Sequence, residues 1–159
     1  PSLQQLDLQV KWPNDLYSTQ GKWGGILIEP LNAHQVVVGV GINVLPLPKE
    51  GMDQAVTSLT ELGLHHFDRI QLTAELYLAI QQAGEWFNHD SCNLAARFNH
   101  YAAFKNEAVE LEHHQGVSQG TFLGIRNDGS IEISTAQGVE NFFQGRLRRV
   151  AQSIKSSKP

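Results

Sequence analysis

Lys11-Trp12-Pro13-Asn14-Asp15 and Lys22-Trp23-Gly24-Gly25 put two ammonium groups, a carboxylate, a carboxamide and paired glycines within fifteen residues. Gly39-Val40-Gly41-Ile42-Asn43-Val44 follows soon after. Such a set describes a polar cleft floored by bare backbone, suited to a small anionic ligand or a nucleotide. Lys22 is the first candidate. A lysine in a turn is ordinarily solvated and inert. Beside Gly24-Gly25 it gains a second reading, because glycine weakens a strand interior and often marks the close approach of a ligand or another backbone. An ammonium next to such a floor can hold a carboxylate or phosphate as a point charge. Gly39 and Gly41, two residues apart, share one strand face and leave Val38, Val40 and Ile42 to the other. A face stripped to hydrogen admits a flat ligand or a tightly packed helix. The Gly-x-Gly spacing is not the dinucleotide fingerprint, since no helix follows it. Asn14 and Asp15 after Pro13 have a common turn composition. Chemically, Asp15 is a hard oxygen donor able to ligate magnesium. Asn14 and Asn43 can each offer a donor and an acceptor to a base edge.

Other chemistry finds less support. The seven histidines include the adjacent pairs His65-His66 and His113-His114, whose neighbours would point to opposite faces of a strand, and no zinc spacing is present. Cys92 is the single cysteine, which precludes an intrachain disulfide and fits a reducing cytoplasm. A formal net charge of −4 argues against bulk electrostatic binding to nucleic acid. Arg146, Arg148 and Arg149 are the one basic cluster. No apolar run reaches membrane-span length and no signal-peptide pattern opens the sequence.

The elements that must hold these residues can be read from periodicity. Leu6, Leu8 and Val10 alternate as a strand, broken by Pro13-Asn14-Asp15. Residues 17–21 read as a turn and 25–29 as a second strand stopped by Pro30. Residues 35–44, nearly all β-branched or glycine, predict a central strand buried on both faces. An irregular loop over 46–57 and a short helix over 58–64 follow. Asp68 is an N-cap with Gln71 at the capping-box position, opening a helix to about Asn88. Its stripe of Ile70, Tyr77, Ile80 and Phe87 is expected to pack on the sheet. A second helix begins near Cys92. From Ala108 the pattern becomes strand and turn, with Asn127-Asp128-Gly129 as the strongest hairpin signal, giving a small barrel or sandwich. The fold expected is α+β: a mixed, largely antiparallel sheet with helices over residues 1–103, a small β-barrel domain over 104–150, and a disordered tail at 151–159.

Lys-Trp-Pro-Asn-Asp, a lysine seven residues after Asp15, Gly-Ile-Leu-Ile-Glu, and Gly-Val-Gly-Ile-Asn-Val resemble, in order and spacing, the core of the biotin–protein ligase family. Gly120 to Gly129 is similar to that family's small C-terminal domain. The resemblance covers about residues 3–150. It implies the class II synthetase/biotin ligase-like fold followed by an SH3-like barrel, and an ATP-dependent enzyme. That enzyme forms biotinyl-adenylate and passes biotin to a lysine of a biotin carboxyl carrier protein. By resemblance, Lys22 is the catalytic lysine that contacts the biotin carboxylate and the phosphate. Gly25, Gly39 and Gly41 form the surface against biotin, and Asn14 and Asn43 contact adenine. Asp15 places the nucleotide and its Mg2+, and residues 46–56 match the loop that orders over the adenylate. Biotin, ATP and the carrier protein are the implied partners, and a homodimer is admitted. No membrane partner is implied, and no DNA-binding domain lies within this chain.

Two departures accompany the likeness. The family's Gly-Arg-Gly-Arg-x-Gly-Arg loop has no counterpart in these residues, so about half of the family's site is expected here. Gly145-Arg146-Leu147-Arg148 stands where the family often carries Gly-Glu-Val-Ser-like residues. Alternatives from other classes are a catalytically silent interaction module, a lipoate-type acyl ligase, and a nucleic-acid-binding domain built on the three C-terminal arginines.

Overall fold

A computed structural model describes residues 6–150; the expected tail at 151–159 lies outside the described residues. Two antiparallel sheets organise the fold. The first has the order β1 (Gln9–Lys11), β2 (Asp15–Ser18), β3 (Gly21–Asn32) and β4 (Gln35–Ile42). The second comprises β5 (Ala108–His113), β6 (Gly116–Ile125), β7 (Ile131–Thr135), β8 (Gly138–Phe142) and β9 (Arg146–Arg149), ordered β8-β7-β6-β5-β9. Helices α1 (Arg69–His89) and α2 (Leu94–Tyr101) lie between them in sequence. The α+β expectation holds, with five strands where a small barrel is expected, though the described pairings do not close that sheet into a ring.

Each sheet covers its own core. Trp23, Leu59 and Leu64 are buried below the first, with Leu16, Ile42, Leu62, Phe67 and Leu72 packed around them. Below the second lie Phe104, Val109, Leu111, Phe122, Ile131, Ile133 and Leu147. Trp12 crosses over. It comes from the turn after β1, yet its ring belongs to the second core, and its indole N–H donates to the Gly129 carbonyl at 3.1 Å. Asn99 on α2 makes a second tie, donating to the Ile125 carbonyl at 2.9 Å and accepting from the Ile125 N–H at 2.8 Å. Gly124 must be glycine there: its φ is +136° and a Cβ would lie 2.6 Å from the Asn99 amide oxygen.

Several elements differ from the sequence-based expectation. Residues 15–18 form a strand, leaving only Thr19 and Gln20 to turn. β4 is an edge strand with Val36 and Val37 exposed, not a central strand; a β-branched run signals extension but not position in the sheet. Residues 58–64 make one turn instead of a helix. Gly63 at φ +99° stops it, and the Leu64 N–H closes on the Leu59 carbonyl at 2.9 Å and the Gly63 N–H on that of Thr60 at 3.1 Å, the pattern that ends helices. Asp68 does cap α1, accepting from Ile70 and Gln71 N–H groups. Gln71 does not reach back to complete a capping box; its amide donates forward to Glu75 at 2.9 Å. The α1 stripe is likewise not packed: Ile70 is 82% and Phe87 79% exposed, and among the described residues only Leu72 joins the core beneath the first sheet. The second helix starts as a 3-10 turn over Ser91–Asn93 before α2.

Candidate active site

The register of the first sheet builds the site. Lys11 pairs with Asp15, Asp15 with Gly25, and Gly25 with Gly41. Directly opposed residues share a face, so these four form a row across the sheet. Lys22 lies three residues before Gly25 and by simple alternation belongs on the opposite face. A register shift rescues it: Leu16 pairs with Gly24 but Tyr17 pairs with Lys22, leaving Trp23 as an extra residue. This bulge turns Lys22 onto the face of Asp15 and Gly25, while Trp23 sinks into the core. Bulges are not legible in composition, which is why periodicity alone misplaces Lys22.

Above this face lies an open trough of about 410 Å³, lined by Asn14, Lys22, Gly25, Leu27, Gly39 and Gly41. The glycines have no packing reason to lack side chains. A Cβ at Gly25 would meet nothing nearer than 3.5 Å, one at Gly39 nothing nearer than 3.9 Å, and one at Gly41 nothing nearer than 4.0 Å. No helix presses on them among the described residues. Gly24 is different, since its Cβ would lie 2.5 Å from the Gly41 carbonyl oxygen. Of the paired glycines, one serves strand packing and the other opens the floor.

Asp15 is 8% exposed and sits between two cations. Its Oδ1 lies 2.6 Å from Lys22 Nζ and its Oδ2 3.2 Å from Lys11 Nζ. Burial raises its pKa, but the bond from Lys22 and the charge of Lys11 outweigh that and hold the carboxyl below its ordinary range. Lys11, the residue that sequence reasoning left without a role, is 5% exposed. Burial pushes its pKa down against the opposing pull of Asp15. Gln54, from the 46–56 loop, accepts from Lys11 Nζ at 2.7 Å and donates to Asp15 at 3.4 Å. The same loop is stitched to β3 by Lys22 N–H to Ala55 O at 2.9 Å and Thr57 N–H to Lys22 O at 2.8 Å.

The asparagines differ in their surroundings. Asn14 lines the trough and donates to the Ile26 carbonyl at 2.8 Å. The Asn43 amide donates to the Thr57 carbonyl at 3.1 Å and does not line the trough. The residues present do not compose a resident metal site. Both Asp15 oxygens carry ammonium groups, and among the described residues no three His, Cys, Asp or Glu side chains gather to hold an ion. The basic cluster on β9 is also spent: Arg146 pairs with Asp53, Arg148 with Glu112 and Arg149 with Glu107.

A cation facing a glycine-floored trough on an antiparallel sheet can hold an anionic acyl or phosphoryl group. The comparisons agree. The family model for the biotin/lipoate A/B protein ligase family matches residues 1–43. The chain is 36% identical over 147 residues to the bifunctional ligase/repressor BirA of Salmonella typhimurium, covering 88% of this chain and 46% of that protein. It is 43% identical over 103 residues to the biotin–[acetyl-CoA-carboxylase] ligase of Mycobacterium tuberculosis, covering 65% of this chain and 38% of that one. The biotin protein ligase from Aquifex aeolicus in complex with biotin and ATP superposes with a TM-score of 0.79 at 27% identity, over 89% of this chain and 62% of that one. The chain is thus similar to biotin–protein ligases over part of their length. It spans about half the length, 46%, of the BirA relative it matches.

Proposed function

We propose that this chain contributes the acyl-adenylate trough of an ATP-dependent biotin–protein ligase. The carrying observation is that Gly25, Gly39 and Gly41 leave open a space that the protein's own packing does not require, with the Lys22 ammonium at its edge. In this reading biotin lies over the glycines with its carboxylate toward Lys22. A carboxylate oxygen attacks the α-phosphorus of ATP and pyrophosphate leaves. A carrier-protein lysine then attacks the acyl carbon and AMP leaves. Both steps build negative charge near one carbon, so Lys22 contributes by electrostatic stabilisation and the trough by positioning. Asn14, which lines the trough, would address the nucleotide in this reading. Asn43, whose amide nitrogen donates to the Thr57 and Lys22 carbonyls, would do so through its oxygen. Magnesium would enter with the nucleotide, and Asp15 would reach it only through lone pairs left over from its bonds to Lys11 and Lys22. Residues 1–103 would be the ligase part and 104–150 an SH3-like appendage, a division bridged by Trp12. The carrier, a homodimer and a cytoplasmic setting belong to the same reading. No helix among the described residues is long and apolar enough to cross a membrane.

Replacing Lys22 by Ala in the intact protein is expected to cut biotin-dependent ATP–pyrophosphate exchange by about two to three orders of magnitude, as for other lost charge-stabilising donors. Unchanged exchange would sink the assignment. Running the same assay with lipoate in place of biotin separates the two acids that the family name joins.

A further inference from the structure

Lys22 does not own its carboxylate. Asp15 offers Oδ1 to Lys22 at 2.6 Å and Oδ2 to Lys11 at 3.2 Å. Lys11 shares a sheet face with Gly25 and Gly41 but lies beyond Asp15, further from a ligand over them. It is absent from the trough and lines a separate cavity of about 220 Å³ between the two sheets, with Tyr17, Gln54 and Arg146. A buried ammonium is an inefficient way to hold a fold together, because desolvation offsets most of what its partner returns. Its consequence for the trough is electrostatic. Two ammonium groups and one carboxylate leave the set with one net positive charge, and of its members only Lys22 opens onto the trough. Without Lys11, Asp15 would neutralise Lys22 by itself.

We propose that Lys11 is a positioning residue of this site, which takes half of Asp15 so that Lys22 keeps a free positive charge for an anionic acyl or phosphoryl group. The proposal rests on the ligase reading and deepens it. Gln54 closes the set. By bridging Lys11 and Asp15, it fixes how the carboxylate is divided and ties that division to the 46–56 loop.

The test is a charge-compensation series in the intact protein: Lys11→Met, Lys11→Arg, and Lys11→Met combined with Asp15→Asn. Lys11→Met is expected to raise KM for ATP in pyrophosphate exchange roughly ten- to thirty-fold, the order of effect of one unit charge lost near an anion in a partly solvated protein. Lys11→Arg is expected to restore most of the loss. The double variant should bind better than Lys11→Met alone, because removing the carboxylate frees Lys22 again. A merely structural role predicts the reverse, with the double variant the worst of the series. Calorimetric binding of inorganic pyrophosphate to the same variants reads this order without turnover. Equal pyrophosphate affinity for the parent protein and Lys11→Met, or a double variant weaker than Lys11→Met, overturns the proposal. A parent protein without biotin-dependent exchange overturns the ligase reading, and the pyrophosphate order still decides the role of Lys11.

Discussion

Gly24 and Gly41 sit in the same pair of strands yet answer to different forces. At Gly24 a methyl group would collide with the Gly41 carbonyl, so Gly24→Ala is expected to destabilise by about 1–3 kcal/mol through overpacking. At Gly41 the nearest atom to a Cβ would be the Gly25 carbonyl oxygen at 4.0 Å, an unstrained contact, and φ is not in the left-handed region. Gly41→Ala should leave stability unchanged or raise it slightly, by up to about 1 kcal/mol of unfolded-state entropy, while weakening biotin binding. Paired thermal melts and biotin titrations of the two variants check this; a Gly41→Ala protein that binds biotin normally would remove the reason given for the bare floor. Asp15 adds a pH signature. Its folded pKa lies below the ordinary value of 3.8, so its stabilisation is fully present above about pH 5 and is lost as pH falls through the folded pKa. Asp15→Asn strands the buried Lys11 ammonium and is expected to cost about 3–5 kcal/mol near neutrality. The gap from the parent protein should shrink in urea melts as the acid limb is reached. A gap constant from pH 7 to pH 3 would contradict this account.

At the scale of elements, much of the chain declares itself. The alternation in β5 to β8, the Asn127-Asp128-Gly129 turn and the Asp68 cap are local preferences that tertiary structure left in place. Lys22, Gly25, Gly39, Gly41 and Asn14 were singled out by residue type, and the fold brings all five to one trough. What could not be read depends on partners distant in sequence. β4 has the composition of an interior strand, but its rank in the sheet is set by what pairs with it. The one-residue bulge that aims Lys22 is a register property, invisible in spacing. Lys11 has no assigned role at the level of sequence; its pairing with Asp15 and its burial come from the fold. Arg146 shows the same limit, since its partner Asp53 lies in a loop more than ninety residues earlier. That pair is largely exposed, so Arg146→Ala should change stability by less than about 1 kcal/mol. Its effect should instead be to loosen the 46–56 loop, seen as faster amide exchange at Lys22 and Thr57 than in the parent protein.

For the molecule as a whole, Trp12 is one of several residues through which the two sheets act on each other, beside the Tyr17–Phe104 ring contact and the Arg146–Asp53 pair. It belongs to the first sheet by sequence and to the second by burial. Trp12→Ala is expected to cost about 3–5 kcal/mol and to split a shared unfolding transition into two, followed by near-UV circular dichroism and calorimetry. A single sharpened transition would argue that the sheets are coupled elsewhere. The outer edge of β4 and the apolar residues of α1 carry the opposite hazard. Val36, Val37, Ile70 and Phe87 stand exposed, and an unpaired strand edge invites another chain.

The order β8-β7-β6-β5-β9 has one more consequence. β6, β7 and β8 can zip up in turn as they leave the ribosome, each against the strand just made. β5 cannot finish, because its second neighbour is Arg146–Arg149, encoded last among the described strands. Synthesis interrupted before Leu147 would release a nascent polypeptide with β5 half-clad and the interior plug at Leu147 missing, a species that chaperones and proteases would recognise before any chemistry could begin.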